Sequence, residues 1–547
     1  MTPAFFKTHG ATLLWALLAL AILHLVLIQP NHPDAVSWWA LLLFPLELPA
    51  IVLALLAFGQ SRAGFYLRIV LVAVLTIIAA LKAADFAMFV SLSRGFNLVA
   101  DFPLIISLYQ LVVGAFGAAV AVLLIISAVL ALIGLAAALW WASRTIARLP
   151  LPKPTPMIAG AAAIAATAIA VTEIGATMRK WDAPFDTPGT AFTARVGVER
   201  YEMMRDTLAE LRSFRAAALE DPFAGQTNLF DAVDRDVLVI FVESYGRTSF
   251  DTPLFADLHL ETLRKAERML SGEGLSMAST FLTAPTQGGQ SWLTHATFAN
   301  GLWVDNQTSY RAALNSGRQT LFHLAAEAGF HTAAVMPQIT LDWPESRAMG
   351  FDTILAAADL GYQGAAFNWV TMPDQFTFAA MDRLLPSTDQ HLFVQIATGS
   401  SHAPWIPVPQ LMDWDALGDG TIFDELVAAS EQPSDVWRDN DRVRAQYRLA
   451  VDYALQTVFA YAQRRAEEPP LMLIIGDHQA AGFVALDERP HVPMHVIGPK
   501  HLVDLVADDE FVPGLIPSAQ RQLRPMSDLR AHLIQSLTST EMAGATP

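Results

Sequence analysis

Runs of apolar residues long enough to cross a bilayer constrain this 547-residue chain more than any other feature. A helix needs about 20 mostly apolar residues to span the hydrocarbon core, and the segments 11 to 29, 36 to 58, 66 to 90 and 156 to 176 each meet that length. The apolar stretch from 103 to 142 is too long for one straight helix. It divides into an interfacial or re-entrant piece at 103 to 116 and a further span at 118 to 142. Five spans are therefore expected, in a membrane domain over residues 1 to 177. The first is not a cleavable signal peptide, because four more follow and no small-residue cleavage site separates them. With 53% hydrophobic residues and a mean hydropathy of +0.36, part of the chain must sit in lipid.

Charge orients these spans and excludes some functions. Arg62 and Arg68 flank one short turn and Arg144, Arg148 and Lys153 another, whereas the turns near Asp34 and Asp101 are poor in basic residues. The basic turns should face the cytoplasm. An odd number of spans then puts everything after about residue 178 outside the cytoplasmic (inner) membrane, on the periplasmic or extracellular side. Residues beyond 180 carry 25 basic against 47 acidic side chains, a balance opposed to tracking a nucleic-acid backbone, which needs Lys and Arg on phosphates. The chain has no cysteine, so disulfides and thiolate chemistry are excluded. Lys82 and Asp85, three residues apart in the third span, are either a polar contact for lipid head groups or a mutually satisfied pair.

Residues 178 to 234 turn polar and read as a linker whose 196 to 219 stretch is helical. From 235 to 547 the pattern changes. Val237 to Val242 is a continuous β-branched and aromatic run of the kind that forms a buried parallel strand. Similar runs at 331 to 336, 391 to 397, 470 to 475 and 492 to 497 alternate with helical stretches at 320 to 328 and 443 to 464. That alternation predicts an α/β domain with a mostly parallel sheet.

Ligands of such sheets bind beyond the carboxyl ends of the strands, where this sequence places Glu243, Ser400-Ser401-His402 and Asp477-His478. One carboxylate and an Asp-His pair supply three O and N ligands to a divalent cation, leaving room for an oxygen nucleophile. Thr286-Gln-Gly-Gly-Gln-Ser291 offers that oxygen. Its paired glycines permit a tight turn, and Ser291 opens a predicted helix over 291 to 300 whose N-terminus favours an anion. His402 can donate a proton to a leaving oxygen or hold phosphoryl oxygens. Taken singly, Ser291 also reads as a plain helix cap and Asp477-His478 as a turn.

In this order the residues resemble the alkaline phosphatase and sulfatase superfamily, and within it the lipoteichoic acid synthase type, a membrane domain followed by an extracytoplasmic sulfatase-like domain. The likeness covers nearly the whole chain. It implies that Glu243 in VLVIFVESYGR, Ser291 in GGQSWLTHATFANGL (usually a threonine in the family) and Asp477 and His478 in IIGDHQ hold one divalent metal, Mn²⁺ foremost, with Mg²⁺ or Zn²⁺ as alternatives. It also implies that Ser291 is the nucleophile, with Thr286 and Thr294 as rivals, and that His402 in SSHAPW contacts phosphate. Trp343 and Arg347 in DWPESRAMGFD, Pro373-Asp374 and His491 in HVPMHVIGP are softer matches, with Trp343, Arg347, His402 and His491 as substrate contacts.

Ser291 is followed by Trp292, Leu293, Thr294 and His295, not by the x-Pro-x-Arg of true sulfatases, and Glu243 has no paired aspartate. Sulfate-ester hydrolysis is thus disfavoured and one metal is the simpler reading. The resemblance implies a phosphotransferase. The lack of cysteine, unlike the disulfide-bearing phosphoethanolamine transferases, favours moving phosphoglycerol from phosphatidylglycerol to a glycan or polyol-phosphate acceptor. Phosphoethanolamine transfer, phosphodiester hydrolysis and a catalytically silent membrane scaffold are the competing readings. Neither the acceptor nor the oligomeric state is legible in the sequence.

Overall fold

Proline decides how much of the apolar N-terminal third becomes continuous helix. The computed structural model describes residues 3–539 apart from 93, 103, 106–107, 110–111, 114–116, 151, 153, 342 and 386–389, with side chains from residue 11 onward. It divides into two units, Met1–Ala209 and Glu210–Pro547. The first contains α1 (Pro3–Ile28), α2 (Glu47–Phe58), α3 (Arg62–Leu92), α4 (Ala118–Ala147) and α5 (Thr155–Thr177), and α6 (Phe192–Leu219) begins within it.

Among the described residues four helices, α1, α3, α4 and α5, are long and apolar enough to cross a membrane, not five. The span expected at 36 to 58 is broken into a 3₁₀ turn, Trp38–Leu42, and the 12-residue α2. At 1.5 Å per residue α2 reaches about 18 Å, short of a core about 30 Å thick. Pro45 is the cause. Its ring disfavours helical backbone at Phe44 and it has no N–H, and the chain there bridges to Thr190, whose carbonyl accepts the Leu46 N–H at 3.0 Å. Leu23 and Leu27 of α1, Leu55 of α2, Leu75 of α3 and Leu139 of α4 form the buried centre of this unit. The interfacial piece expected at 103 to 116 falls in good part outside the described residues.

Lys82 and Asp85 are both fully buried and do not pair with each other. Lys82 Nζ donates to Thr193 Oγ1 (2.7 Å) and to the Leu27 carbonyl (3.2 Å). Asp85 accepts from Arg200 (2.5 Å) and from the Phe96 N–H (2.9 Å). Charges in a low-dielectric setting persist only when paired or fully hydrogen-bonded, and these two satisfy that rule by tying α3 to α1 and to the start of α6.

The second unit is a sheet between two helical layers. Its strands are β1 (Val237–Val242), β2 (Ser276–Thr283), β3 (His331–Met336), β4 (Thr353–Ala356), β5 (Leu392–Ala397), β6 (Leu471–Gly476), β7 (His491–Gly498), β8 (Val512–Pro513) and β9 (Arg524–Pro525). Their order is β4-β3-β5-β1-β6-β7-β2-β8, with β9 beside β2. The first five in that order are parallel, whereas β7 is antiparallel to both β6 and β2. The sheet is therefore mixed and mostly parallel. β7 departs because its connection from β6 turns back at the same edge instead of crossing over the sheet, which a parallel pairing requires. The 276 to 283 strand, with four hydroxyl side chains in SMASTFLT, was not among the runs expected, because period and composition weaken together there.

β1 is buried on both faces, which explains its unbroken apolar run. Leu238, Ile240 and Val242 face a layer that includes α7 (Pro253–Gly272) and, further along the chain, Asn440–Arg464. Val237, Val239 and Phe241 face the opposite layer, which includes α8 (Ser291–Asn300) and Leu529–Ser536. The central strands approach tightly at their carboxyl ends: a Cβ on Gly476 would meet the Tyr245 backbone oxygen at 1.9 Å. Gly476→Ala should therefore force the β1 and β6 ends apart and destabilise the protein by about 1–3 kcal/mol, a loss read as a lowered midpoint in thermal unfolding of the full chain.

Candidate active site

Because β1 and β6 are neighbouring parallel strands, the residues just past them emerge side by side. Glu243 follows β1, and Asp477 and His478 follow β6, all three buried. One ligand atom from each lies within 4.8 Å of the others, and no other such group of His, Cys, Asp and Glu occurs among the described residues. Ser244 adopts a left-handed backbone (φ 58°), uncommon outside glycine, which turns its N–H onto Asp477 Oδ1 at 2.8 Å. The His478 N–H reaches the same oxygen at 2.6 Å. Two backbone donors thus fix that carboxylate.

His478 Nδ1–H donates to the Gln479 carbonyl at 3.0 Å, which directs the Nε2 lone pair inward. Nε2 lies 3.1 Å from Glu243 Oε1, out of hydrogen-bonding alignment, and is buried without a partner. A ring nitrogen oriented by a carbonyl at its far side and left open toward two carboxylates has the arrangement of a metal ligand. The residues fit a divalent cation. Burial lowers His478, but Asp477 and Glu243 more than offset this and push it up to about 9. Asp477 is pushed well above the usual carboxylate range by burial and by Glu243. Burial alone would raise Glu243, but the charge and hydrogen bonding of His478, with His402 and Asp477, together offset it and hold the carboxyl below that range.

Gly288 (φ 75°), Gly289 (φ 143°) and Gln290 (φ 66°) run through the positive-φ region and release the chain into α8 at Ser291. The glycines accept that path at little steric cost. Ser291 Oγ–H donates to Glu243 Oε2 at 2.9 Å, so the serine stands against the acidic pair at the first turn of α8. Thr286 and Thr294 instead hydrogen-bond each other at 3.0 Å, both buried. Their hydroxyls are directed to one another.

His402 follows β5, on the other side of β1. Its Nδ1–H donates to the Ala403 carbonyl at 2.5 Å, leaving Nε2 open, and its charge acts on Glu243. His491 opens β7, whose antiparallel run brings its first residue to the same sheet edge. Its Nδ1 is buried and unpartnered, and burial followed by Arg247 and Arg489 lowers its pKa. Trp343 packs against Phe351, with 6.3 Å between ring centroids, and Arg347 is exposed on the 3₁₀ turn Pro344–Ala348. Neither forms a hydrogen bond or ion pair with Glu243, Ser291, Asp477 or His478 among the described residues.

The sequence marks Asp374 only as part of a Pro373-Asp374 turn, and several supporting contacts around the site were not legible beforehand. Buried Asp374 accepts the Gly399 and Ser400 N–H groups at 2.7 and 2.9 Å and so holds the turn that presents His402. Burial pushes its carboxyl up to about 6. Thr398 Oγ1 accepts the Glu243 N–H at 3.3 Å, and Ser401 Oγ donates to the Glu243 carbonyl at 2.7 Å. His295 stacks on Phe241 (4.1 Å between centroids), in the field of Glu243 and His478. Its place one helical turn after Ser291 was the available signal.

A mostly parallel α/β sheet with a buried Glu-Asp-His group that could hold a metal ion, and a serine at a helix N-terminus beside it, is the arrangement of an alkaline phosphatase-like domain. The family model described as Sulfatase matches residues 235–513, and the chain belongs to that family. No curated protein matches the sequence. Among solved structures, the lipoteichoic acid synthase LtaP from Listeria monocytogenes is 13% identical, covering 61% of this chain and 78% of its own, with a TM-score of 0.37. The Streptococcus pyogenes phosphoglycerol transferase GacH, in complex with sn-glycerol-1-phosphate, is 12% identical, covering 61% and 82%, with a TM-score of 0.37. The integral membrane lipooligosaccharide phosphoethanolamine transferase A of Neisseria meningitidis is 12% identical, covering 95% and 96%, with a TM-score of 0.45.

A cation held by this group would displace the His478 proton, so uptake of added Mn²⁺ should release at least one proton per ion below pH 9. Its affinity should fall at least about tenfold for each pH unit below that value, and more steeply where the raised Asp477 also binds a proton, as titration calorimetry in buffers of different ionisation enthalpy would show; a pH-independent affinity would remove His478 from the ligand set.

Proposed function

We propose that this chain is a membrane-attached, metal-dependent phosphotransferase that moves the phosphoglycerol head group of phosphatidylglycerol to a hydroxyl of a glycan or glycerol polymer, through a covalent phosphoserine at Ser291. The observation that carries this reading is the 2.9 Å contact of Ser291 Oγ with Glu243, within the buried Glu243-Asp477-His478 group and at the start of α8.

Glu243, Ser291, Asp477 and His478 would hold the ion. Three oxygens and one imidazole nitrogen suit Mn²⁺, while Zn²⁺ and Mg²⁺ each match part of the set. The bound ion would supply Lewis acidity and lower the serine pKa. The chain's residues supply the rest. Ser291 Oγ, oriented by Glu243 Oε2, loses its proton to solvent and attacks phosphorus, and the bond from phosphorus to the diacylglycerol oxygen breaks. His402 donates a proton to that departing oxygen, releasing diacylglycerol. In the second half the acceptor hydroxyl gives its proton to His402 and attacks phosphorus, and the departing Ser291 oxygen takes a proton back from solvent. One hard displacement becomes two easier ones. The exposed N–H groups at the α8 terminus favour the anionic phosphoryl group throughout. His491, with its unpartnered Nδ1, is assigned to the substrate side of the site, and Trp343 and Arg347 to its outer contacts.

The basic turn between α4 and α5, with Arg144 and Arg148, marks the cytoplasmic face of the cytoplasmic membrane. α5 starts just after it, and its 23 residues cover about 35 Å. The chain that follows α5 therefore leaves on the opposite, periplasmic or extracellular, face, where head groups of the outer leaflet lie. This holds whatever the count of earlier crossings.

Ser291→Ala should reduce transfer from head-group-labelled phosphatidylglycerol by about three orders of magnitude or more. Retention of full transfer by that variant would sink the mechanism. Consumption of labelled phosphatidylethanolamine in preference would reassign the head group and leave the mechanism in place.

A further inference from the structure

The residue after Ser291, Trp292, stands exposed at the start of a largely buried helix. Apolar side chains of α8 such as Leu293, Ala296 and Phe298 are buried, whereas Trp292 is 39% exposed. The ring is nevertheless held. Its Nε1–H donates at 3.0 Å to Oε1 of Gln307, the first residue of α9 (Gln307–Leu314). The start of α9 is fixed in turn by Asn306 Oδ1, which accepts the N–H groups of Thr308 and Ser309 at 3.0 and 2.9 Å. Leu293 and Ala296 of α8 pack with Tyr310 and Ala313 of α9 in one buried cluster. An indole anchored by its nitrogen at a two-helix junction, half-exposed and one residue along the chain from the serine that contacts Glu243, is a prepared contact surface. Its position has already lost most of the freedom that binding would otherwise remove.

We propose that Trp292 is the platform on which a pyranose ring of the acceptor glycan stacks, with Gln307 as its polar neighbour. A pyranose presents a face of C–H groups rimmed by hydroxyls, which matches an aromatic face beside an amide. Gln307 accepts the indole N–H through Oε1, so its Nε2–H groups are donors for ring hydroxyls. An open-chain polyol has the hydroxyls but no rigid apolar face. The inference rests on the transfer reaction proposed above and narrows its acceptor from any hydroxyl polymer to a ring-bearing glycan.

The test uses the full-length protein in detergent, with maltose and sorbitol as ring and open-chain probes. In the first measurement the labelled phosphoserine formed from phosphatidylglycerol is chased with either probe. In the second, saturation-transfer difference NMR reads direct contact with maltose, independent of turnover. Wild-type protein should lose label faster with maltose than with sorbitol, and that ratio should collapse by about tenfold in Trp292→Ala. Trp292→Phe should restore most of it. The maltose NMR signal should follow the same order. Equal responses of wild type and Trp292→Ala in both measurements, or sorbitol matching maltose in wild type, would overturn the proposal. If no label reaches Ser291 in wild type but the maltose signal still depends on Trp292, the reaction reading fails and the sugar platform stands.

Discussion

Two carboxylates and an imidazole are buried together at the ends of β1 and β6, and the rest of the catalytic unit is arranged to make that tolerable. Glu243 and Asp477 repel each other in a low-dielectric setting, so the site requires a positive charge at its centre. The His478 imidazole, raised by both carboxylates, stands between them, and a divalent cation would supply that charge. Backbone donors from Ser244 and His478 steady Asp477, and Ser291 completes the ring of oxygens on Glu243. The left-handed turn at Ser244 is the strained position that this arrangement needs.

Sheet order is what brings these groups into range. β1 lies between β5 and β6, so the residues after all three strands converge, and His402 comes from one flank while Asp477 and His478 come from the other. The antiparallel β7 adds His491 from its beginning, not its end. Core packing on both faces of β1 holds the strand ends in register, with Gly476 permitting the close approach. In the membrane unit a similar constraint recurs: Lys82 and Asp85 persist because α1, α3 and α6 together satisfy them.

Much of this was readable from residues. The apolar run into Glu243, the paired glycines before Ser291 and the run into Asp477-His478 each carried a local signal, and the parallel α/β pattern said that such ends meet. What was not readable depended on contacts distant in sequence. Asp374 is marked in the sequence only by the turn it shares with Pro373, and its hold on the Gly399 and Ser400 N–H groups depends on residues 25 and 26 positions away. The pairing of Thr286 with Thr294, which separates them from Ser291, is a matter of side-chain direction. The second span failed because Pro45 interrupts a run whose hydropathy alone is ample, and β2 escaped because hydroxyl side chains dilute its apolar alternation.

The central claim is that a phospholipid head group passes through Ser291. Peptide mass spectrometry of the full-length protein, loaded with Mn²⁺ and exposed to a native lipid extract without acceptor, tests it most directly. The account predicts a phosphodiester adduct carrying the head group on the peptide that contains Ser291, absent when the metal is chelated. An adduct on Thr286, Thr294 or another residue, or turnover of lipid with Ser291 never modified, would contradict it.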